Sequence, residues 1–245
     1  MWITYIGHSG FLMEWETCYW LFDYYKGEIP QMAPDKKIFV FASHKHADHF
    51  NPDIFNLSQK YPNVVYLLSS DIKLREKDYS KLGITPELLS NIHSVKPANQ
   101  YEEADNNNHM MMIKTLKSTD SGVAFLLHYQ GKTVYHAGDL NLWMWKGESS
   151  QYNNNMKARF EKEMELLKDV PIDVAFAPLD PRQEEYYYLG LERLVNTAKV
   201  TCVFPMHFWE KPSVIQQYKK ERLNKLNLTE VMEVSRDGQQ WEIVL

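Results

Sequence analysis

Short apolar runs alternate with polar, turn-rich segments along most of the chain. Many of these runs have the length and the β-branched or aromatic content of buried strands. The predicted strands lie at 2–6, 10–15, 18–23, 37–42, 64–68, 110–117, 122–129, 132–137, 172–178, 200–206, 230–235 and 240–245. The two halves of the chain share one plan, in which consecutive strands come first and strands separated by helices follow. Two sheets flanked by helices would accommodate this order.

Helical signals separate the later strands of each half. Asn51 followed by Pro52 favours a helix start, because asparagine caps free N–H groups and proline presets the first turn. The apolar residues of 156–168 recur at helical spacing, which predicts a helix with one face in the core. Further helices are predicted at 86–89, 184–198 and 212–225, and the polar segment 99–108 is typical of turns.

The run from Ser43 to His49 carries the strongest chemical signal. It directly follows a predicted strand, so His44 and His46 occupy alternate positions and can share one metal ion. Asp48 and His49 are offset enough to serve a neighbouring ion. Neutral imidazole and carboxylate are preferred ligands of zinc and similar divalent metals. The alternative is a surface loop rich in histidine, which we disfavour because three of the nine histidines stand here beside an acid.

Three later strands also end in a potential ligand. Asp139 follows the strand at 132–137, Asp180 follows the strand at 172–178, and His207 follows the strand at 200–206. Polar side chains at the ends of neighbouring strands form the mouth of a site. One aspartate at a strand end usually forms a turn, but four strand ends that carry only His and Asp favour a shared site.

The pattern His-x-His-x-Asp-His resembles the signature of the metallo-β-lactamase-fold hydrolases. The segments that end in Asp139 and His207, and the early strand that ends in Asp23, resemble further elements of that family in the same chain order. The opening segment 5–12 is similar to the start of the branch that includes L-ascorbate-6-phosphate lactonase. The resemblance implies an α/β (α+β) fold, a four-layer αββα sandwich formed as a single domain by residues 1–245.

The same resemblance implies a metal-dependent hydrolase. Asp139 would bridge two metal ions, and Asp48 could orient the attacking hydroxide or carry its proton. Zinc, as one or two ions, is the expected cofactor, with Mn²⁺ or Fe²⁺ as alternatives, because such ions lower the pKa of bound water towards about 7. The scissile bond would be an ester, lactone, amide or phosphoester of a small molecule. The implied metal ligands are His44, His46, Asp48, His49, Asp139 and His207.

The chain departs from the family pattern at one position. Most members supply another histidine from the loop before the strand that begins here at Gly122, but residues 116–121 contain none. Asp120 could supply an oxygen if this loop turns inward, the Thr119 hydroxyl is a poor replacement, and His8 is another candidate. We therefore predict a firm metal site and a weaker one, the weaker site being tilted towards manganese or iron by oxygen ligands. The firm site comprises Asp48, His49, Asp139 and His207, and the weaker one comprises His44 and His46.

Other residues near these ligands have a structural interpretation as well as a functional one. Trp143, Trp145 and Trp209 follow Asp139 and His207 closely and could wall a substrate pocket, but buried packing explains them equally well. Asp180 is an auxiliary candidate on position alone. His136 lies inside a strand, where a hydrogen-bonded core histidine is the expected role.

Composition limits the classes of partner that we expect for the chain. The 27 basic and 32 acidic side chains give a net charge of −5, which argues against a nucleic-acid partner. No apolar run reaches about 18 residues, so no membrane span is predicted, and the N-terminus lacks the form of a signal peptide. Cys18 and Cys202 are predicted to be buried free thiols, although one disulfide between them stays open. We expect a cytoplasmic protein with a small-molecule substrate, and a homo-oligomer stays open.

Two other functions compete with a small-molecule hydrolase. A nuclease or phosphodiesterase of the same fold is disfavoured by the acidic balance. A non-catalytic metal-binding member would keep the fold without the activity.

Overall fold

Two seven-stranded mixed sheets form the centre of the structure, a computed structural model that describes residues 1–222 and 228–244. The first sheet has the order β14-β1-β2-β3-β4-β5-β6. Neighbours are antiparallel from β14 to β3 and parallel from β3 to β6. Its strands are β1 (Trp2–Gly7), β2 (Gly10–Glu14), β3 (Cys18–Phe22), β4 (Lys37–Ala42), β5 (Val64–Ser69), β6 (Ile92–Val95) and β14 (Gln240–Glu242).

The second sheet repeats this plan with the order β13-β12-β11-β10-β9-β8-β7. Its first four strands along the chain are antiparallel neighbours and its last four are parallel neighbours. The similarity of the two halves predicted from sequence is thereby confirmed. The strands are β7 (Gln100–Ala104), β8 (Met110–Lys117), β9 (Val123–Tyr129), β10 (Lys132–His136), β11 (Pro171–Pro178), β12 (Lys199–Met206) and β13 (Glu230–Val231).

Helices cover both outer faces of the paired sheets. The predicted start at Asn51 is confirmed, since its side chain accepts a hydrogen bond from the backbone N–H of Asp53 at 2.9 Å. The α-helices of the described residues are α1 (Leu57–Lys60), α2 (Glu76–Tyr79), α3 (Pro86–Leu89), α4 (Ser150–Glu165), α5 (Leu189–Thr197) and α6 (Ser213–Arg222), and 3₁₀ helices span Pro52–Asn56 and Pro181–Tyr186.

Strand alternation places the core in two regions. On β3, Cys18, Trp20 and Phe22 point into the core between the sheets, while Tyr19 and Leu21 point to the opposite face. The opposite face packs against the 3₁₀ helix after β4 and against α3, and the outer face of the second sheet is covered by α4, α5 and α6. The arrangement is a four-layer αββα sandwich.

Some predicted elements differ from the structure. Segment 99–108, predicted as turns, contains the edge strand β7, whose polar, half-exposed side chains give little hydrophobic signal. Helix α4 starts six residues before the predicted 156, because the Ser149 hydroxyl caps it by accepting from the N–H of Tyr152 at 3.1 Å. The helix predicted at 184–198 is instead a 3₁₀ helix followed by α5, with a break at Glu184, whose φ is 51°.

Near the C-terminus the structure covers the predicted elements in part. The helix predicted at 212–225 is present as α6, and its last predicted residues, 223–225, lie outside the described residues. The strand predicted at 230–235 is the shorter β13. The final strand is β14, and residue 245 lies outside the described residues.

Two further expectations concern cysteines and membranes. Cys18 and Cys202 are both buried and free, so no disulfide joins them. Within residues 1–222 and 228–244, every helix is too short or too polar to cross a bilayer.

Candidate metal centre

Strand ends from both sheets converge on one cluster of polar side chains. The loop after β4 carries the histidine run, and the residues after β10, β11 and β12 include Asp139, Asp180 and His207. The turn between β1 and β2 adds His8. Apolar strands thus hold the backbone on either side of the site, and the polar side chains stand where strand hydrogen bonding ends.

Four side chains, which we call the inner cluster, are His8, Asp48, His49 and His207, and their potential ligand atoms all lie within 4.8 Å of one another. Oδ2 of Asp48 is 3.4 Å from Nε2 of His8 and 3.9 Å from Nε2 of His207. The three histidines of this cluster are buried. The inner cluster therefore presents imidazole nitrogens and one carboxylate to a common point.

A second set, which we call the outer cluster, comprises His44, His46, Asp120 and Asp139, also with ligand atoms within 4.8 Å of one another. Oδ2 of Asp120 lies 3.5 Å from Nδ1 of His46, so the loop that lacks the expected histidine does turn inward and brings a carboxylate instead. The side chains of His46 and Asp120 are 44% and 47% exposed, unlike the buried side chains of His44 and Asp139. The outer cluster is thus half open to solvent.

Asp139 joins the two clusters. Its Oδ2 lies 3.4 Å from Nε2 of His44, while its Oδ1 lies 3.2 Å from Nε2 of His49 and 3.4 Å from Nε2 of His207. One carboxylate oxygen faces each cluster, which is the arrangement that a bridging ligand requires.

The site contains buried polar atoms that have no hydrogen-bond partner. They are Nε2 of His8, His44 and His49, and Oδ1 of Asp139. Buried polar atoms without partners are rare and costly, so a group of them facing one point calls for a ligand. The set of imidazole and carboxylate donors suits zinc, manganese or iron. The residues present therefore fit divalent metal ions.

Asp23 orients two of the histidines from behind. Its buried carboxylate accepts hydrogen bonds from the Ser43 N–H at 2.7 Å, from the Ser43 hydroxyl at 2.6 Å and from Nδ1 of His49 at 2.7 Å. Because the Ser43 hydroxyl donates to Asp23, it is free to accept from Nδ1 of His44 at 3.0 Å. With Nδ1 engaged in this way, both rings direct Nε2 towards the clusters, where it can bind a metal ion once it carries no proton.

Asp180 has the same role for His207. Its Oδ2 is 3.0 Å from Nδ1 of His207 and also accepts from Nε1 of Trp209 at 3.3 Å. Arg182 binds the same carboxylate through two nitrogens and stacks on Trp209, with its guanidinium carbon 4.3 Å from the ring centroid. Asp180, an auxiliary candidate from sequence, therefore positions a ring and is absent from both clusters.

Backbone strain is also present at the site. His8, Asp23, His207 and Trp209 have φ values of 54°, 40°, 63° and 48°, in the left-handed region that costs residues other than glycine about 1 kcal/mol or more. Such strain persists only where the surroundings hold it. Here it accompanies the turn of the His8 and His207 side chains towards the inner cluster.

Close packing fixes the histidine loop. A Cβ atom on Gly122, whose φ is +70°, would lie 2.0 Å from the carbonyl oxygen of Ser43. A side chain there would displace the start of the histidine run, so glycine is required at this position.

Burial and neighbouring charges shift the pKa values of the buried histidines and of Asp139 in different directions. Burial and the neighbouring His49 lower the pKa of His44 to about 4. Burial also disfavours the charged forms of His49 and Asp139, but Asp139 and Asp23 raise the pKa of His49 well above its usual value, and His49 and His207 hold the pKa of Asp139 well below its own. Without metal, His49 therefore keeps a proton with which a metal ion must compete.

A pocket of about 460 Å³ opens over both clusters. Thr119 lines it but uses its hydroxyl to donate to the backbone oxygen of Asn141 at 2.6 Å, so it anchors the loop. Trp143 lines the pocket and donates from Nε1 to the backbone oxygen of Asp139 at 2.9 Å. Trp209 also lines it. The two tryptophans therefore both wall the pocket and brace the site.

Other pocket residues escaped the sequence analysis. Tyr152, Met156, Arg159 and Arg182 all line the pocket, and Trp145, a candidate wall residue from sequence, lines it as well. Positions 152, 156 and 159 share one face of α4, a spacing that the sequence contains but that the late predicted helix start concealed. Ser43 was also missed, since its role depends on the position of Asp23.

His136 has the structural role expected from sequence. Its Nε2 donates to the backbone oxygen of Ser9 at 3.0 Å, and the Gly138 N–H donates to its Nδ1.

Comparison with known proteins gives a consistent picture. The family profile described as "Beta-lactamase superfamily domain" matches residues 2–152. A UPF0173 metal-dependent hydrolase of Opitutus terrae is 25% identical over 222 residues, covering 86% of each chain. Another, of Korarchaeum cryptofilum, is 23% identical over 251 residues, covering 98% of this chain and 99% of that protein. The structure of a metallo hydrolase from Ignicoccus hospitalis covers 99% of both chains with 17% identity and a TM-score of 0.60.

These matches confirm the fold and identify the family. The profile extends over more than half of the chain, including the histidine run and Asp139. The structural likeness, at its low identity, concerns the fold, and the predicted αββα sandwich is confirmed. The branch that includes L-ascorbate-6-phosphate lactonase is not distinguished by any of them and stays a prediction. The chain belongs to the β-lactamase superfamily and has the metallo-β-lactamase fold.

Proposed function

We propose that this protein is a metal-dependent hydrolase of a small-molecule ester, lactone, amide or phosphoester. The observation that carries the proposal is the position of Asp139 between two clusters in which four buried ligand atoms have no hydrogen-bond partner. The relatives from Opitutus terrae and Korarchaeum cryptofilum are named metal-dependent hydrolases, which supports the same reaction class.

The inner cluster, together with Asp139, would hold one ion, and the outer cluster would hold another that shares Asp139. Divalent ions there supply Lewis acidity and a nucleophile that is active near neutral pH. Asp48 lines the pocket with a side chain that is 24% exposed, and it can accept and release a proton beside the reacting bond. The pKa of Asp48 is lowered, since hydrogen bonding to His8 and the nearby His49 outweigh burial, so it is ionised at neutral pH.

We propose that the two metal sites differ in affinity, as predicted from sequence, because they differ in burial and in ligand type. The inner histidines are buried, and two of them are fixed by Asp23 and Asp180. In the outer cluster, two of the four side chains are about half exposed. Two carboxylates also make that cluster richer in oxygen, which favours manganese or iron over zinc. We therefore propose a tightly held inner ion, with zinc as the first candidate, and a weaker outer ion.

We propose a cytoplasmic location and a small-molecule substrate. Two free, buried thiols fit a reducing cytoplasm. The pocket of about 460 Å³ fits a small molecule, and the acidic balance disfavours a nucleic acid.

A substrate panel tests the function. Purified protein loaded with Zn²⁺ or Mn²⁺ is assayed on chromogenic esters, lactones, anilides and phosphodiesters, with Asp139→Asn as the inactive control. We expect turnover that chelator abolishes and added metal restores. Turnover that survives chelation would contradict the proposal, and metal-replete protein inactive on the whole panel would favour a non-catalytic member. Salt-sensitive cleavage of RNA would favour a nuclease.

A further inference from the structure

The pocket over the metal clusters has a second wall that metal binding does not explain. The rings of Trp143 and Trp145 stack with centroids 6.1 Å apart and an interplanar angle of 6°, and Trp143 also contacts His207 at 5.3 Å. Asn153 fixes Trp145, since its side chain accepts from the backbone N–H of Trp145 at 3.1 Å and donates to its backbone oxygen at 2.9 Å. Flat, rigid rings therefore extend from a metal-cluster histidine towards α4.

One face of α4 completes this wall. Tyr152, Met156 and Arg159 are spaced four and three residues apart, so they lie on the same side of the helix, and all three line the pocket. A nitrogen of the Arg159 guanidinium lies 3.9 Å from the sulfur of Met156. Among the described residues, no carboxylate forms an ion pair with Arg159.

The other arginine of the pocket is already engaged. Arg182 is held by the buried Asp180 carboxylate and by the face of Trp209. Its charge supports the position of His207 and is largely compensated. Arg159 is thus the pocket cation whose hydrogen-bond donors face no protein anion, and a guanidinium is the side chain best suited to bind carboxylate or phosphate through two parallel hydrogen bonds.

We propose that Arg159 and the stacked Trp143–Trp145 pair form a subsite for an anionic group, carboxylate or phosphate, at the end of the substrate remote from the bond that is cleaved. The substrate class is then a small molecule with a flat or apolar body and one terminal anion. This inference rests on the proposed function for the cleavage itself, but the subsite binds its ligand whether or not hydrolysis follows.

Binding of simple probes tests the subsite. Metal-loaded full-length protein is titrated calorimetrically with phenylphosphonate, phenylacetate and the neutral 2-phenylethanol, none of which contains a hydrolysable bond of the proposed kind. The variants are Arg159→Gln, Arg159→Lys and Lys157→Gln. Lys157→Gln is the matched control, since it removes the same charge from an exposed position of the same helix outside the pocket lining. Metal content and thermal unfolding confirm that each variant is folded and loaded.

We expect wild-type protein to prefer at least one anion over the alcohol, and Arg159→Gln to weaken that anion about tenfold or more, as loss of a hydrogen-bonded charge pair does. The alcohol should be unaffected, Lys157→Gln should behave as wild type, and Arg159→Lys should recover part of the loss. Comparison of the phosphonate with the carboxylate identifies the anion. An unchanged preference in Arg159→Gln would mean that the anion binds the metals and would overturn the proposal.

Two other outcomes would also overturn the subsite: no anion preference in wild type, or equal losses in Lys157→Gln and Arg159→Gln. Failure of the hydrolase function is separate, because it would appear as no turnover on the substrate panel with the Arg159-dependent binding intact.

Discussion

Oδ1 of Asp139 lies 3.2 Å from Nε2 of His49, and its other oxygen faces His44 at 3.4 Å. A single carboxylate just after β10 thus lies between ligands from the loop that follows β4. Strand β4 belongs to the other sheet. The packing of the two sheets against each other therefore sets the spacing of the two metal clusters.

Replacement of Asp139 by Asn should remove most of the bound metal. The amide keeps the volume but loses the negative charge and one of the two oxygens that face the clusters. Metal content per chain is measured by elemental analysis after dialysis, with Asp169→Asn, at a side chain 71% exposed, as the control. Full retention of metal in Asp139→Asn would disprove the bridging role.

Replacement of Asp120 should affect one ion only. Asp120→Asn weakens the outer cluster, because it removes the charged oxygen nearest to His46, and leaves the inner cluster unchanged. A metal titration should therefore keep its tight phase and lose its weak phase. Asp120→His, which restores the residue type usual in the family, should shift the weak phase from manganese towards zinc. Equal loss of both phases would contradict two separable sites.

Asp23→Asn should lower metal affinity about 10–100-fold although Asp23 touches no ion, because loss of such an outer carboxylate releases the ring that it orients. Its bonds to Ser43 and His49 would be lost or reversed in direction. Asp180→Asn should act more mildly, since it supports only His207. Affinity is measured by competition with a chromophoric chelator, and wild-type affinity in both variants would refute this role.

Acid should destabilise the fold through Asp105, which lies outside the metal centre. Its buried carboxylate accepts from the hydroxyls of Thr17 at 2.5 Å and Tyr129 at 2.7 Å and from two groups of His109. Burial opposes ionisation, but these hydrogen bonds hold the pKa of Asp105 below its usual range. The unfolded chain therefore takes up a proton first as the pH falls, and the stabilisation present above about pH 4 is lost below it.

Asp105→Asn tests this dependence. We expect the substitution to lower the free energy of unfolding at pH 7 by about 1–3 kcal/mol. The difference in free energy of unfolding between wild type and variant should then decrease as the pH falls from 4 to 2. Urea unfolding in the presence of chelator measures both without a contribution from bound metal. Asp169→Asn is again the control, and a difference that stays constant with pH would contradict the assignment.

The sequence predicted those site residues that directly follow an apolar strand. His44 and His46 follow a strongly apolar strand, and Asp139 and His207 follow two more, so period-two patterns and strand ends were enough to find them. The bounds of β7 and α4 were wrong, because an edge strand has little apolar signal and a serine cap extends a helix beyond its apolar face.

The remaining contacts depend on distances between segments far apart in the chain. Asp120 was a candidate only if its loop turned inward, and sequence offers no measure of that turn. The pairing of Asp180 with His207 and the place of Arg159 in the pocket wall depend on how β11, β12 and α4 pack. The hydrophobic pattern of the sequence identifies which residues lie at strand ends, while tertiary packing determines which of them contact one another.

A crystal structure of metal-loaded protein, with anomalous maps that locate each ion, tests the bridging role of Asp139 most directly. We expect two ions about 3.5–4 Å apart, both in contact with Asp139, with the ion at His49 and His207 the more fully occupied. A single ion without contact to Asp139, or no ion at all in protein exposed to excess Zn²⁺ and Mn²⁺, would contradict that role.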